Sequence, residues 1–131
     1  MRSSEKNEFW SALLEKAYAK LNGSYEHLNS GTTSEAFQDF TGAITKTYFL
    51  NKVTSNLFKI MLKAYNSYSM MGCCIEADPD PQVPEAVTPK GLIKGHAYSI
   101  TKVQFVDVKT PKSSAKIPLI RLRNPWGDET E

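Results

Sequence analysis

The sequence predicts an α+β fold, with helices first and an antiparallel sheet after them. Three observations carry this. Apolar residues recur at helical spacing over residues 7–21 and again at Leu57, Ile60, Met61 and Ala64. A loop over residues 77–90 follows, in which Pro79, Pro81, Pro84 and Pro89 exclude both a helix interior and a central strand. From Leu92 onward β-branched and aromatic residues take over, in two runs at 98–108 and 117–123.

Taken in order, the first helix carries a broad apolar stripe: Phe9, Ala12, Leu13, Lys16, Ala17 and Lys20 trace one side, and Trp10, Leu14, Ala17 and Leu21 an overlapping one. Such breadth predicts packing against more than one partner. Asn22-Gly23 stops it, since glycine favours the position just past a helix end. A polar loop leads to a short helix over 35–40, with Thr33 or Ser34 as its cap. Residues 44–50 have strand-like density of β-branched and aromatic side chains. The next helix has Thr54, Ser55 and Asn56 available as caps. Residues 69–75, which include Cys73 and Cys74, read as a short buried strand. Residues 110–115 read as the turn between the two last strands.

The chain has 131 residues, enough for one domain spanning 1–131 with one core. Sixteen basic and fourteen acidic residues leave a net charge of +2, with the cations scattered. That balance offers no footprint for nucleic acid. No apolar run reaches transmembrane length, and the charged N-terminus lacks a signal peptide's apolar segment. Two adjacent cysteines make no disulfide framework, which predicts a reducing, cytoplasmic setting. The last strand is followed by so few residues that the domain is expected to be truncated at its C-terminus.

Two polar side chains stand out against this pattern. In the run Ile120-Arg121-Leu122-Arg123-Asn124 the period of two puts Asn124 on the apolar face with Ile120 and Leu122. Pro125 biases Asn124 toward an extended backbone. An inward amide costs about 1–3 kcal/mol unless it finds partners. His96 follows Gly95 and opens a strand through Ala97 and Tyr98. One polar group at the start of a strand and one at the end of the next can meet across an antiparallel pair. An asparagine carbonyl accepting from one ring N–H fixes the tautomer and plane of an imidazole, and aims the other nitrogen outward to take a proton from a thiol. Trp126 is placed to cover that hydrogen bond.

These blocks resemble the papain superfamily and, within it, the calpain family. The resemblance runs through the segment from Phe9 to Tyr25, through Asp39-Phe40-Thr41-Gly42, through the segment from Lys90 to Ile100, and closes on Arg121-Leu122-Arg123-Asn124-Pro125-Trp126-Gly127. It implies the β-rich, right-hand subdomain of a papain-like protease core, with His96 as general base, Asn124 as its orienting partner and Trp126 as the shield of that pair. The loop before Lys90 would border the substrate cleft. It also implies a calcium-dependent cysteine endopeptidase acting on protein substrates, with a nucleophile-bearing protease half and regulatory domains as partners. Calcium ligands are expected just after Trp126, at Asp128, Glu129 and Glu131. Three carboxylates fall short of the six to eight oxygens calcium takes, so this is a partial site.

The family's nucleophile lies in a Gly-Asp-Cys-Trp context, which this sequence does not contain. Cys73 and Cys74 follow Gly72 in an apolar strand without a helix N-terminus to depress a thiol pKa, and read as buried structural thiols. Asp78, Asp80 and Glu85 sit among prolines and read as loop solvation. The chain alone is therefore expected to be inactive. Two other readings stay open: a non-catalytic docking module, and a fragment without an independent fold.

Overall fold

The computed structural model describes residues 5, 7–29, 31–53, 55–77, 86–110 and 113–126. In chain order they form α1 (Trp10–Asn22), a 3-10 turn (Glu26–Leu28), α2 (Thr33–Thr41), α3 (Leu57–Asn66), β1 (Gly72–Cys74), β2 (Ala97–Thr110) and β3 (Ser113–Arg123). The chain divides into two compact units, Met1–Ala43 and Ile44–Glu131. None of the described helices is long and apolar enough to cross a membrane.

In the first unit α1 begins three residues later than its apolar pattern, because no side chain caps its N-terminus and its first turn closes on Phe9. The short second helix is capped by Thr32, one residue before the expected Thr33 or Ser34. The Thr32 hydroxyl accepts from the Glu35 N–H while the Glu35 carboxylate accepts from the Thr32 N–H, a reciprocal capping box. Gly42 ends α2 in the left-handed conformation, with its N–H donating to the Gln38 carbonyl at 2.7 Å. The Tyr18 hydroxyl donates to the Asp39 carboxylate at 2.6 Å, and its ring tilts against Phe40 at 5.1 Å, which ties α1 to α2. That hydrogen bond pushes the Tyr18 hydroxyl above its ordinary pKa. The α1 residues that are buried are Ser11 and Ala19. Phe9, Trp10, Leu13 and Leu21 are more than half exposed, so the broad apolar stripe is present but uncovered.

In the second unit residues 42–49 form no strand. Ile44 is 99% exposed, and a β-branched run becomes a strand only where a sheet edge is free to pair with it. Instead Thr47, Tyr48 and Phe49 line an open groove with Leu57 and Ile60 of α3. This helix ends in a Schellman motif, in which the Ser69 N–H reaches the Ala64 carbonyl and the Tyr68 N–H the Tyr65 carbonyl. Tyr68, rather than a glycine, takes the left-handed position, at φ +58°. Thr54, one of the expected caps, lies outside the described residues, and no side-chain hydrogen bond caps α3 at Asn56.

The sheet is antiparallel, in the order β1-β2-β3. α3 lies on one of its faces, where Phe58 meets Phe105 edge-to-face at 4.8 Å. Val103 of β2 is 1% exposed and forms the centre of this core. Of the expected 69–75 strand only three residues pair, and they occupy an edge, so Cys73 is half-buried and Cys74 exposed. The turn expected over 110–115 is shorter, since both strands continue to Thr110 and Ser113. Residues 78–85 of the proline loop lie outside the described residues. Its last residues form a small hairpin closed by the bridge Val87–Ile93, in which the Thr88 hydroxyl accepts from the Leu92 N–H at 3.0 Å.

One irregularity in the sheet decides which way the site faces. Val103 pairs with Ile120 and Lys102 with Arg121, but Ile100 pairs with Leu122, leaving Thr101 as the extra residue of a β-bulge. In a regular ladder Ile100 would stand opposite Arg123, and Tyr98 and His96 would turn to the other face. The bulge inverts that parity. Ile100, Tyr98 and His96 therefore share a face with Val103, Ile120, Leu122 and Asn124.

Candidate active site

His96 precedes β2 by one residue. Gly95 brings it there with φ at +70°, a conformation that costs side-chain-bearing residues energy, and its N–H donates to the Ile75 carbonyl at 2.9 Å. Asn124 follows the last residue of β3. The register that pairs Ser99 with Arg123 places Tyr98 opposite Asn124, and His96 on the adjacent diagonal. The two expected residues meet: His96 Nε2 lies 2.8 Å from Asn124 Oδ1.

The direction of that bond follows from a second one. The Trp126 backbone N–H, which can only donate, also reaches Asn124 Oδ1, at 3.2 Å. The atom receiving it is therefore the amide oxygen. An amide oxygen only accepts, so Nε2 carries the hydrogen and the lone pair of the neutral ring lies on Nδ1. Trp126 also lies against the imidazole, edge-to-face at 4.9 Å, though its own side chain is 55% exposed. His96 is 8% exposed, deeper than a strand-entrance position suggests.

One neighbour was not singled out from the sequence. The Tyr98 ring meets His96 edge-to-face at 5.0 Å, and its hydroxyl accepts from the Ile93 N–H at 3.0 Å. The signal was available, because a residue two places along a strand shares the face of the first. The other histidine, His27, donates from Nδ1 to the Asn22 carbonyl at 2.8 Å and serves the end of α1.

Cys73 is paired directly with Tyr98 and so lies on the same face as His96; Cys74 pairs with Ala97 on the other. Burial, and to a smaller degree the neighbouring Cys74, push the Cys73 thiol above its ordinary pKa, the opposite of activation. Alkylation by iodoacetamide at pH 7 is therefore expected to modify the exposed Cys74 first. Cys73 should be labelled severalfold more slowly, with its rate still rising above pH 9. Fragment mass spectra over time check this, and faster labelling of Cys73 at neutral pH would contradict it.

Asp128, Glu129 and Glu131, expected to begin a calcium site, lie outside the described residues, as do Asp78, Asp80 and Glu85. Among the described residues no three His, Cys, Asp or Glu side chains group to hold a metal ion. No step of the chemistry below passes through calcium.

Helices followed by a small antiparallel sheet, with a histidine–amide pair at its end, agree with part of an α+β, papain-like protease core. The sequence profile of the calpain family cysteine proteases matches residues 1–131, and the chain belongs to that family. It is 63% identical to Calpain-A and 62% to Calpain-B of Drosophila melanogaster over its whole length, covering 16% and 14% of those proteins. It is 52% identical over 128 residues, 98% of this chain, to the human (Homo sapiens) calpain-1 catalytic subunit, of which it covers 17%. The chain thus spans less than a fifth of the length of these relatives.

Proposed function

We propose that this chain is the histidine- and asparagine-bearing part of a calcium-dependent cysteine endopeptidase, with His96 as general base and Asn124 as its orienting residue. The observation that carries the reading is the 2.8 Å bond between His96 Nε2 and Asn124 Oδ1. With Nε2–H held by the amide, Nδ1 is the atom that takes the proton of an incoming thiol. A thiolate–imidazolium pair results, and the imidazolium later returns the proton to the leaving amine. Trp126 lowers the local dielectric around the bond and strengthens it. The nucleophile on this reading is a thiol of a separate protease half: burial pushes the Cys73 thiol above its ordinary pKa, and Cys74 lies on the opposite face of the sheet from His96.

The partners on this reading are protein substrates, that nucleophile-bearing half and regulatory domains, in the cytoplasm, with no nucleic acid involved. The residues 1–131 act as one part of a catalytic domain, and the loop over 77–90 borders the substrate cleft. Asp128 and Glu131 belong to a partial calcium site. A second reading, a docking module without catalysis, is favoured by the exposed Phe9, Trp10, Leu13 and Leu21 of α1.

A segment exchange separates the two. Replacing the matching segment of Drosophila Calpain-A by this chain is expected to leave peptide cleavage in the presence of calcium within about tenfold of the unmodified protein assayed beside it. A chimera that folds and does not cleave, while the unmodified protein does, excludes the catalytic reading and leaves docking.

A further inference from the structure

We propose that Tyr98 is a positioning residue that holds the plane of the His96 ring and links it to the hairpin closed by Val87 and Ile93. This rests on the reading of His96 as the general base. The Asn124 amide fixes one ring atom of His96, and a contact at one atom does not by itself set the tilt of a ring about its Cβ–Cγ bond. Packing against further rings removes that freedom. Two aromatic rings meet the imidazole edge-to-face, Trp126 at 4.9 Å and Tyr98 at 5.0 Å, the latter nearly perpendicular at 82°. A half-turn of the imidazole would exchange Nε2 for a C–H opposite the Asn124 oxygen and disturb both ring contacts.

Tyr98 differs from Trp126 in being anchored at both ends. Its backbone lies inside β2, paired with Cys73 of β1. Its hydroxyl accepts from the N–H of Ile93, a residue only 6% exposed, whose amide would otherwise be buried without a partner. Ile93 is bridged to Val87, and the Lys94 N–H donates to the Ala86 carbonyl at 2.9 Å. A displacement of this hairpin is thereby transmitted through the Tyr98 ring to His96. The bulge at Thr101 makes this contact geometrically available, because it puts Tyr98, His96 and Asn124 on one face.

The test is nitrogen-15 NMR of the chain labelled at histidine and at backbone amides, read where the imidazoles are neutral. His27, which donates from Nδ1, is an internal reference of opposite tautomer to His96. The unmodified chain is expected to show His96 mainly as the Nε2–H tautomer, with Overhauser contacts between the His96 and Tyr98 rings. Tyr98→Phe keeps the ring, and should keep that tautomer while Ile93 amide exchange speeds up about fivefold, as expected for losing a bond worth about 1 kcal/mol at 1.36 kcal/mol per tenfold. Tyr98→Leu removes the ring and should bring the two His96 tautomers to comparable populations. Absence of the ring–ring contacts, an unshifted tautomer in a folded Tyr98→Leu chain, or unchanged Ile93 exchange in Tyr98→Phe would each overturn the proposal. If Tyr98→Leu does not fold, the unmodified chain and Tyr98→Phe decide. None of these readouts passes through cleavage, so an inactive Calpain-A chimera counts against the catalytic reading and not against the hold of Tyr98 on His96.

Discussion

His96→Ala in the Calpain-A chimera is expected to lower kcat/KM by roughly 10²- to 10⁴-fold, the usual contribution of a positioned general base. The other histidine of this chain, His27, is engaged at the end of α1. Asn124→Ala should cost less, roughly ten- to a hundredfold. The loss there is one oriented hydrogen bond of about 1–3 kcal/mol, at 1.36 kcal/mol per tenfold in rate. The ordering of the two variants is the informative result. A loss from Asn124→Ala equal to that from His96→Ala would mean that the amide acts on the substrate directly. An active His96→Ala chimera would remove the histidine from the chemistry altogether.

Val103→Asp is expected to unfold the second unit. Val103 is the one fully buried side chain among the described residues, near the middle of β2 and on the same face as Phe105, which meets Phe58 of α3. A carboxylate there has no partner to offset its desolvation, and such a change costs several kcal/mol. With Ala19, Ile93 and Val103 as the buried apolar side chains among the described residues, that is a large share of a typical stability of about 5–15 kcal/mol. Val103→Ala, which removes two methyl groups, should cost about 2 kcal/mol by the same burial argument. Urea titration followed by circular dichroism compares the three chains, and an unchanged midpoint for Val103→Asp would place the core elsewhere.

Elements whose signals are local were legible in the residues. α1 and α3 follow from apolar spacing, and the end of α1 from Gly23. β3 and the inward side of Asn124 follow from the alternation of Ile120, Arg121, Leu122 and Arg123. The helix cap fell one residue from its expected place because Thr32, Thr33 and Ser34 all carry hydroxyls. Only the reach of Glu35 back to the Thr32 N–H distinguishes them. Residues 44–50 show the limit of this kind of reading. Their composition suits a strand, yet a strand exists only with a partner, and the described sheet pairs β1, β2 and β3 alone.

What the sequence by itself determined is the order of helices before strands, the family, and His96 and Asn124 as the candidate pair. Each of these rests on residues close to one another along the chain or on whole blocks of matching sequence. What only the tertiary structure decided is that the two side chains face each other. That depends on the bulge at Thr101, which turns the first part of β2 over by one residue so that His96, Tyr98 and Asn124 share a face. A bulge is a property of two strands paired together, set by which residues their shared core accepts, and neither strand carries it alone.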